Sequence, residues 1–243
     1  MEENHDSIIR AGSFKSFVTG LVKKLLIIAF IIGLLIFAAY KYGFFGIWNY
    51  KVTVNVETPE GIRQGSAVRS VRVLRTFTLL GTSPVDKNPI GEAVAIDLGK
   101  QGYLFATTGF DDYTILFEAF PPPNKAGLSF EGIRYYNKIG NVKASLDLQK
   151  YPFLVAFKDI KNPLSVFRVT QENSEQVIGQ GVRIRSVTVE MTKEPVTKRI
   201  MTILPWLSNM WSTSLSGKRY TGGKALADNL SGAYFIQGEK YGR

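Results

Sequence analysis

Hydroxyl, carboxylate and amine side chains are plentiful in this 243-residue chain, but the groups that most often carry chemistry between them are scarce. There is no cysteine, and the only histidine is His5, in the N-terminal tail. Ser–His–Asp and Cys–His catalysis are therefore excluded beyond that tail, because each needs an imidazole to carry the proton. A conventional zinc site is disfavoured, since carboxylates alone seldom hold zinc. A disulfide framework is excluded outright. Paired carboxylates remain open, and Asp111-Asp112 is the obvious pair. Neighbouring helix residues, however, point about 100° apart, and acids in a first turn complement the helix dipole. Capping is the preferred reading of that pair, because glycosidic cleavage needs two carboxyl groups facing one cleft. Neither a G-x-x-x-x-G-K-[ST] nor a G-x-G-x-x-G phosphate loop is present. No catalytic residue, cofactor site or metal site is expected.

Charge and apolar periodicity point instead to surfaces. From residue 49 onward the chain carries 25 Lys and Arg against 17 Asp and Glu. Arg69, Arg72 and Arg75 form the densest local group and are the candidate contact for an anionic lipid, wall polymer or acidic protein. Arg69 and Arg75 share a strand face only if the register between them is unbroken. Ile200, Ile203, Leu204, Leu207, Met210 and Trp211 recur at helical spacing, broken by Pro205. Trp206, Leu207 and Trp211 are the candidate partner-docking residues. The competing expectation for them is packing on a sheet as core or core-edge residues.

A membrane anchor positions all of this. Leu25 to Tyr40 is an uncharged apolar run, and the apolar character resumes after Lys41 as far as Trp48. Taken to Trp48, a helix spans roughly 36 Å, enough for a hydrocarbon core of about 30 Å. Lys23 and Lys24 flank one end, with Tyr40, Lys41, Tyr42 and Trp48 at the other as interfacial residues. Arg10, Lys15, Lys23 and Lys24 precede the run, whereas Lys41 and Lys51 follow it, which favours a cytoplasmic N-terminus. A cleaved signal peptide is the weaker alternative, because no small-x-small site follows the apolar run cleanly. The expected organisation is a basic cytoplasmic tail over 1–24, a transmembrane anchor over 25–48 and an extracytoplasmic domain over 49–243.

That domain reads as α+β with a mostly antiparallel sheet and a few helices. Tyr50 to Glu57 alternates as a strand that Pro59-Glu60-Gly61 ends. Val68 to Leu80 is a second strand whose alternation slips near Ser70, which suggests a bulge. Residues 81–89 read as a loop, and 92–98 with 103–107 as a hairpin. Residues 111–120 and 128–139 predict helices, and 153–157, 182–191 and 233–236 predict strands.

Several strings combine into a resemblance: Glu57-Thr58-Pro59-Glu60-Gly61 with Gly65-Ser66-Ala67-Val68, Gly91-Glu92-Ala93-Val94, Phe157-Lys158-Asp159-Ile160 with Asn162-Pro163, Gly181-Val182-Arg183 to Glu190, and Leu204-Pro205-Trp206-Leu207. Over most of residues 50–236 the chain resembles a family of membrane-anchored proteins of alphaproteobacteria that carries no assigned activity. The resemblance implies a Gram-negative inner membrane and a periplasmic domain, but no chemistry. The expectation is a non-enzymatic binding or scaffold module of the cell envelope, with a protein, anionic lipid or wall polymer as partner and no nucleic acid. The first alternative is a periplasmic hydrolase using carboxylates or a Ser–Lys pair. Gly81-Thr82-Ser83-Pro84 is similar to the nucleophile box of membrane-anchored signal peptidases but lacks its Ser-Met pairing. The second is a lipid-binding or transport accessory. Gly61 to Val68 is similar to a fragment of the mammalian-cell-entry family, without the Gly-Val repeat that follows there.

The charge bias makes topology testable. A phosphatase reporter that matures only outside the cytoplasm, fused after Arg243, is expected to be active. Activity confined to a cytoplasmic reporter at the same position would reverse the assignment.

Overall fold

The computed structural model of the chain describes residues 3–75, 85–109, 114–125, 127–147, 153–210, 213–218 and 222–238. The chain divides into two compact units, Met1–Tyr42 and Gly43–Arg243. The first is one helix, α1 (Glu3–Tyr42). Within it the 25-residue segment Val18–Tyr42 is long and apolar enough to cross a bilayer, and protein covers none of it. At 1.5 Å per residue that segment spans roughly 37 Å.

The helix stops before the expected Trp48. Gly43 adopts φ +81, the left-handed conformation that commonly closes a helix, and a Cβ there would strike the Phe130 carbonyl oxygen. The chain then enters β1 (Phe45–Thr58). Trp48 is therefore no interfacial anchor residue. It is 4% exposed, its ring centroid lies 5.0 Å from that of Tyr136, and its indole N–H donates to Asn137 Oδ1 at 2.8 Å. The β-forming, alternating run that starts at Phe45 outweighs the apolar continuity that made residues 43–48 read as helix.

The second unit is α+β and antiparallel throughout. β1 pairs along its whole length with β2 (Gly61–Arg75) and, on its other edge, with β9 (Arg183–Thr192). β3 (Val85–Glu92), β10 (Ile236–Gln237) and β6 (Lys143–Ser145) complete a six-stranded sheet in the order β10-β3-β2-β1-β9-β6. A second sheet has the order β4-β5-β7-β8, built from β4 (Val94–Asp97), β5 (Tyr103–Ala106), β7 (Leu154–Phe157) and β8 (Val166–Val169).

One core lies between the sheets. Tyr50, Val52, Val54 and Val56 of β1 join Val94, Ile96, Leu104, Leu154 and Ala156 of the smaller sheet in a single buried cluster. At the Trp48 end, α2 (Thr114–Ala119) and α3 (Phe130–Lys138) add Ile115, Leu116, Ile133 and Tyr136 to that cluster. Ser129 caps α3 by accepting the Gly132 N–H at 3.0 Å. The other face of the smaller sheet carries a second cluster, in which Phe105 and Val155 meet Ile200, Leu204, Leu207 and Phe235. Short helices α5 (Ile200–Ile203) and α6 (Leu226–Asn229) lie in that C-terminal covering, and α4 (Ser174–Val177) precedes β9.

Residues 193–199 form a strap across the outer face of the larger sheet. From the end of β9 the strap meets β1, where the Asn49 amide donates to the Glu194 carbonyl at 2.9 Å. Lys51 also pairs there with the Glu194 carboxylate at 3.0 Å. It then reaches the far edge of β2, where the Thr197 N–H donates to the Val68 carbonyl at 3.1 Å. Glu194 is exposed and Lys51 only half-buried, so solvent screens their ion pair and it contributes little. The strap explains the apparent slip near Ser70. The β1–β2 register runs without a shift from Phe45–Leu74 to Thr58–Gly61, so no bulge exists in β2. Instead, Ala67 to Val71 are all buried because both faces of β2 are covered there. The one register shift recorded for β1 is against β9, between Asn55 and Val56. β3 begins inside the stretch expected to be loop, with Pro89 near the free part of an edge strand, where a missing N–H is tolerated.

Removing Trp48 tests its placement. Trp48→Ala is expected to destabilise the second unit by ~3–5 kcal/mol. Trp48→Phe should cost less, chiefly through the unpaired Asn137 acceptor. Denaturant unfolding followed by near-UV circular dichroism reads both. Unchanged stability in Trp48→Ala would return the residue to an exposed position.

Candidate functional site

The densest polar arrangement lies where the chain passes from one sheet to the other. Arg69 projects from the inner face of β2 and is fully buried. Its Nε donates to the Glu92 carbonyl at 2.9 Å. A terminal nitrogen reaches the carbonyls of Ala106 at 3.1 Å and Thr107 at 3.5 Å. Gly91 makes room for the arginine stem, because a Cβ there would lie 2.7 Å from Arg69 Cγ. The Glu92 side chain, 3% exposed, turns the other way. Its Oε2 accepts the backbone N–H groups of Arg199 at 2.7 Å and Ile200 at 2.8 Å, where α5 begins.

A pocket of about 230 Å³ opens beside this joint, lined by residues including Gln64, Gly65, Ser66, Glu92, Arg199 and Ile203. Its origin is topological. β3 pairs with β2 only from Ser70 to Arg75, then bends into β4. The Thr197 contact fixes which main-chain groups of β2 point off that edge. By strand alternation, Ile62, Gln64 and Ser66 point the same way as Val68. Arg199 covers part of the edge by donating to the Ser66 carbonyl at 3.3 Å. The pocket thus offers a ligand main-chain hydrogen bonding along Gln64 and one guanidinium. A shallower depression at the β1–β2 hairpin is lined by Glu57, Thr58, Pro59, Gln180, Gly181 and Arg183.

One cluster unites serine, lysine and a carboxylate. Asp228, in α6, accepts from Ser216 Oγ at 2.6 Å and pairs with Lys218 Nζ at 2.8 Å, both through Oδ1. Ser214 Oγ lies 2.9 Å from Ser216 Oγ and accepts the Lys218 N–H at 3.1 Å. The Lys218 and Ser216 hydrogen bonds hold the Asp228 carboxyl below the usual carboxylate range. That direction opposes general-base work by the carboxylate. The arrangement latches the turn at residues 214–218 to α6. In the sequence Lys218 simply adjoins Arg219, and nothing local signals that Asp228 folds back onto it. Elsewhere, burial pushes the Tyr136 phenol up, and its hydroxyl donates to the Phe120 carbonyl at 2.7 Å.

The expected site residues separate. Lys23, Lys24, Tyr40, Lys41 and Tyr42 all lie on α1 and are exposed. Arg69, Arg72 and Arg75 do not form one basic patch. Arg69 is buried on carbonyl groups, which removes it as a contact for an anionic partner. Arg75 shares its strand face, as the unbroken register requires. It is half-buried, with its guanidinium 4.5 Å from the Phe130 ring centroid and a hydrogen bond to the Leu128 carbonyl. Arg72 alone points to solvent, on the opposite face. Leu207 is a core residue and Trp206, partly buried, lies at the core edge, so both pack on the fold as the competing expectation has it. Leu207 is 1% exposed. Trp206 donates to the Ile160 carbonyl at 2.8 Å and packs edge-on against Phe157. The alternating β7 surface they cover is as apolar as they are, which is why packing wins. Asp111, Asp112, Ser83 and Trp211 lie outside the described residues.

The depressed Asp228 titration sets a pH dependence. Its folded-state value lies below the unfolded one, so its contribution is present above the unfolded-state value and is lost as pH falls through the folded value. Asp228→Asn should therefore lower the melting temperature at neutral pH, with the difference from the parent closing in acid. A difference that stays constant across the acid range would contradict the assignment.

Comparison of the chain with family models, with curated proteins and with solved structures finds no match.

Proposed function

We propose that this is a single-pass inner-membrane protein whose N-terminus is cytoplasmic and whose periplasmic domain is a non-enzymatic binding module of the cell envelope. The observation that carries the reading is the open edge of β2 at Ile62 and Gln64 beside the pocket. An unpaired strand edge presents rows of main-chain donors and acceptors to an extended segment. The occupant is an extended segment of an envelope protein, taken along Ile62 and Gln64 by strand addition, with the Arg199 guanidinium at its end. The unburied apolar segment Val18–Tyr42 supports the tether, and the Lys and Arg excess before it supports the orientation. The charged groups most suggestive of chemistry support a binding role too. Arg69, Glu92 and Asp228 each hold backbone or side-chain partners that join segments of the fold.

Gln64→Pro tests this directly. Its N–H points off the edge, so proline removes the donor that an added strand needs without breaking the β1–β2 ladder. Full-length protein purified in mild detergent from its native membrane should bring down one stoichiometric envelope partner. Gln64→Pro should lose that partner by at least about tenfold, which corresponds to ~1.4 kcal/mol, while its melting temperature is retained. Undiminished capture by a folded Gln64→Pro variant would overturn the strand-addition reading.

A further inference from the structure

The outer face of the six-stranded sheet changes character along its length. From Asn49 to Glu57, the outward residues of β1 are Asn49, Lys51, Thr53, Asn55 and Glu57, all polar or charged. Their neighbours on β9 continue this, with Asn55 donating to Ser186 Oγ at 2.9 Å. At the end nearest α1 the same face turns apolar. Ile47 is 48% exposed and Leu74 is 45% exposed. Half-buried Phe45 lies directly across the ladder from Leu74, and Arg72 lies across from Ile47. Phe45, Ile47 and Leu74 are thus contiguous on one face, with the exposed Arg72 among them. Asp86 stands opposite Leu74 on β3, and Asn88 opposite Arg72.

Chain connectivity limits where this patch can go. α1 ends at Tyr42 and β1 starts at Phe45. Three residues span at most about 11 Å, and a paired strand adds roughly 5 Å. Leu74 therefore cannot lie more than about 16 Å from the end of the apolar helix. A patch of exposed isoleucine and leucine at that distance falls within reach of the headgroup–acyl boundary. Arg72 is suited to the same boundary, because a long basic side chain can lay its stem on apolar surface while its guanidinium meets lipid phosphate. Asp86 offsets that charge, so the apolar pair carries the contact.

We infer that the face bearing Ile47, Arg72 and Leu74 rests on the bilayer that α1 crosses, so that the domain is held against the membrane surface. The inference rests on the reading of α1 as an anchor. It is independent of strand addition at β2, whose open edge lies toward the opposite end of the sheet. The same strand supplies a control. Ile62 is on the same face as Leu74, 72% exposed and twelve residues away in sequence, hence roughly 40 Å distant.

The absence of cysteine makes the test clean. Leu74→Cys and Ile62→Cys variants of the full chain are each labelled with a nitroxide and reconstituted into vesicles of mixed phosphatidylcholine and phosphatidylglycerol. The vesicles are first washed with alkaline carbonate. Oxygen and water-soluble nickel-chelate accessibilities are then compared. The expected result is a label at position 74 several-fold less accessible to nickel and more accessible to oxygen than the label at 62. Arg72→Glu in the Leu74→Cys background should reverse part of that difference. Equal accessibility at 74 and 62 in carbonate-resistant vesicles overturns the inference and leaves the anchor standing. Protein stripped by carbonate overturns the anchor reading and the inference with it.

Discussion

A buried guanidinium must find hydrogen-bond acceptors, and the acceptors that Arg69 finds define how the layers of this domain meet. Its stem lies over Gly91, and its head reaches the carbonyls of Glu92, Ala106 and Thr107. Those carbonyls belong to the corner between β3 and β4 and to the end of β5. One side chain from the larger sheet thereby fixes the smaller one. The Glu92 carboxylate, from the same corner, receives the first N–H groups of α5 and so fixes the C-terminal covering. Leaving such groups unpaired in a low-dielectric interior costs about 1–3 kcal/mol each, which makes the corner a joint between three layers. Arginine suits it because its planar donors can serve several acceptors at once.

The same joint shapes the surface. Because β3 leaves β2 at this corner, the edge of β2 at Ile62 and Gln64 is open, and the strap at residues 193–199 closes its Val68 end and, through Arg199, its Ser66 carbonyl. The pocket is what remains between the departing strand, the open edge and α5. At the opposite end of β2, the sheet carries an apolar rung of Phe45, Ile47 and Leu74.

Much of this organisation is legible in the sequence, and the failures have identifiable causes. The N-terminal apolar helix is visible as an uncharged run, and β1, the β4–β5 hairpin, α3, β7 and β9 follow from period and turn residues. β6 and β8 are short, so their alternation is too brief to read. The end of the anchor was misjudged because Phe44, Phe45 and Trp48 are equally at home at a membrane interface and in a sheet. Only the pairing with residues 71–75 decides between them. Arg69 looked like surface because isolated charge is rarely buried. Its acceptors come from residues 92–107, far enough along the chain that no local pattern announces them. Trp206 and Leu207 looked available because the Phe157 and Phe235 surfaces they cover are distant in sequence.

The measurement that bears most directly on the account is a double-mutant cycle between Arg69 and Glu92, read by denaturant unfolding. Arg69→Met and Glu92→Ala should each destabilise the domain by at least ~2 kcal/mol. Because both act on one corner, their effects should couple by about 1 kcal/mol or more. Two small effects, or effects that add within about 0.5 kcal/mol, would show that Arg69 and Glu92 do not form the joint between the layers.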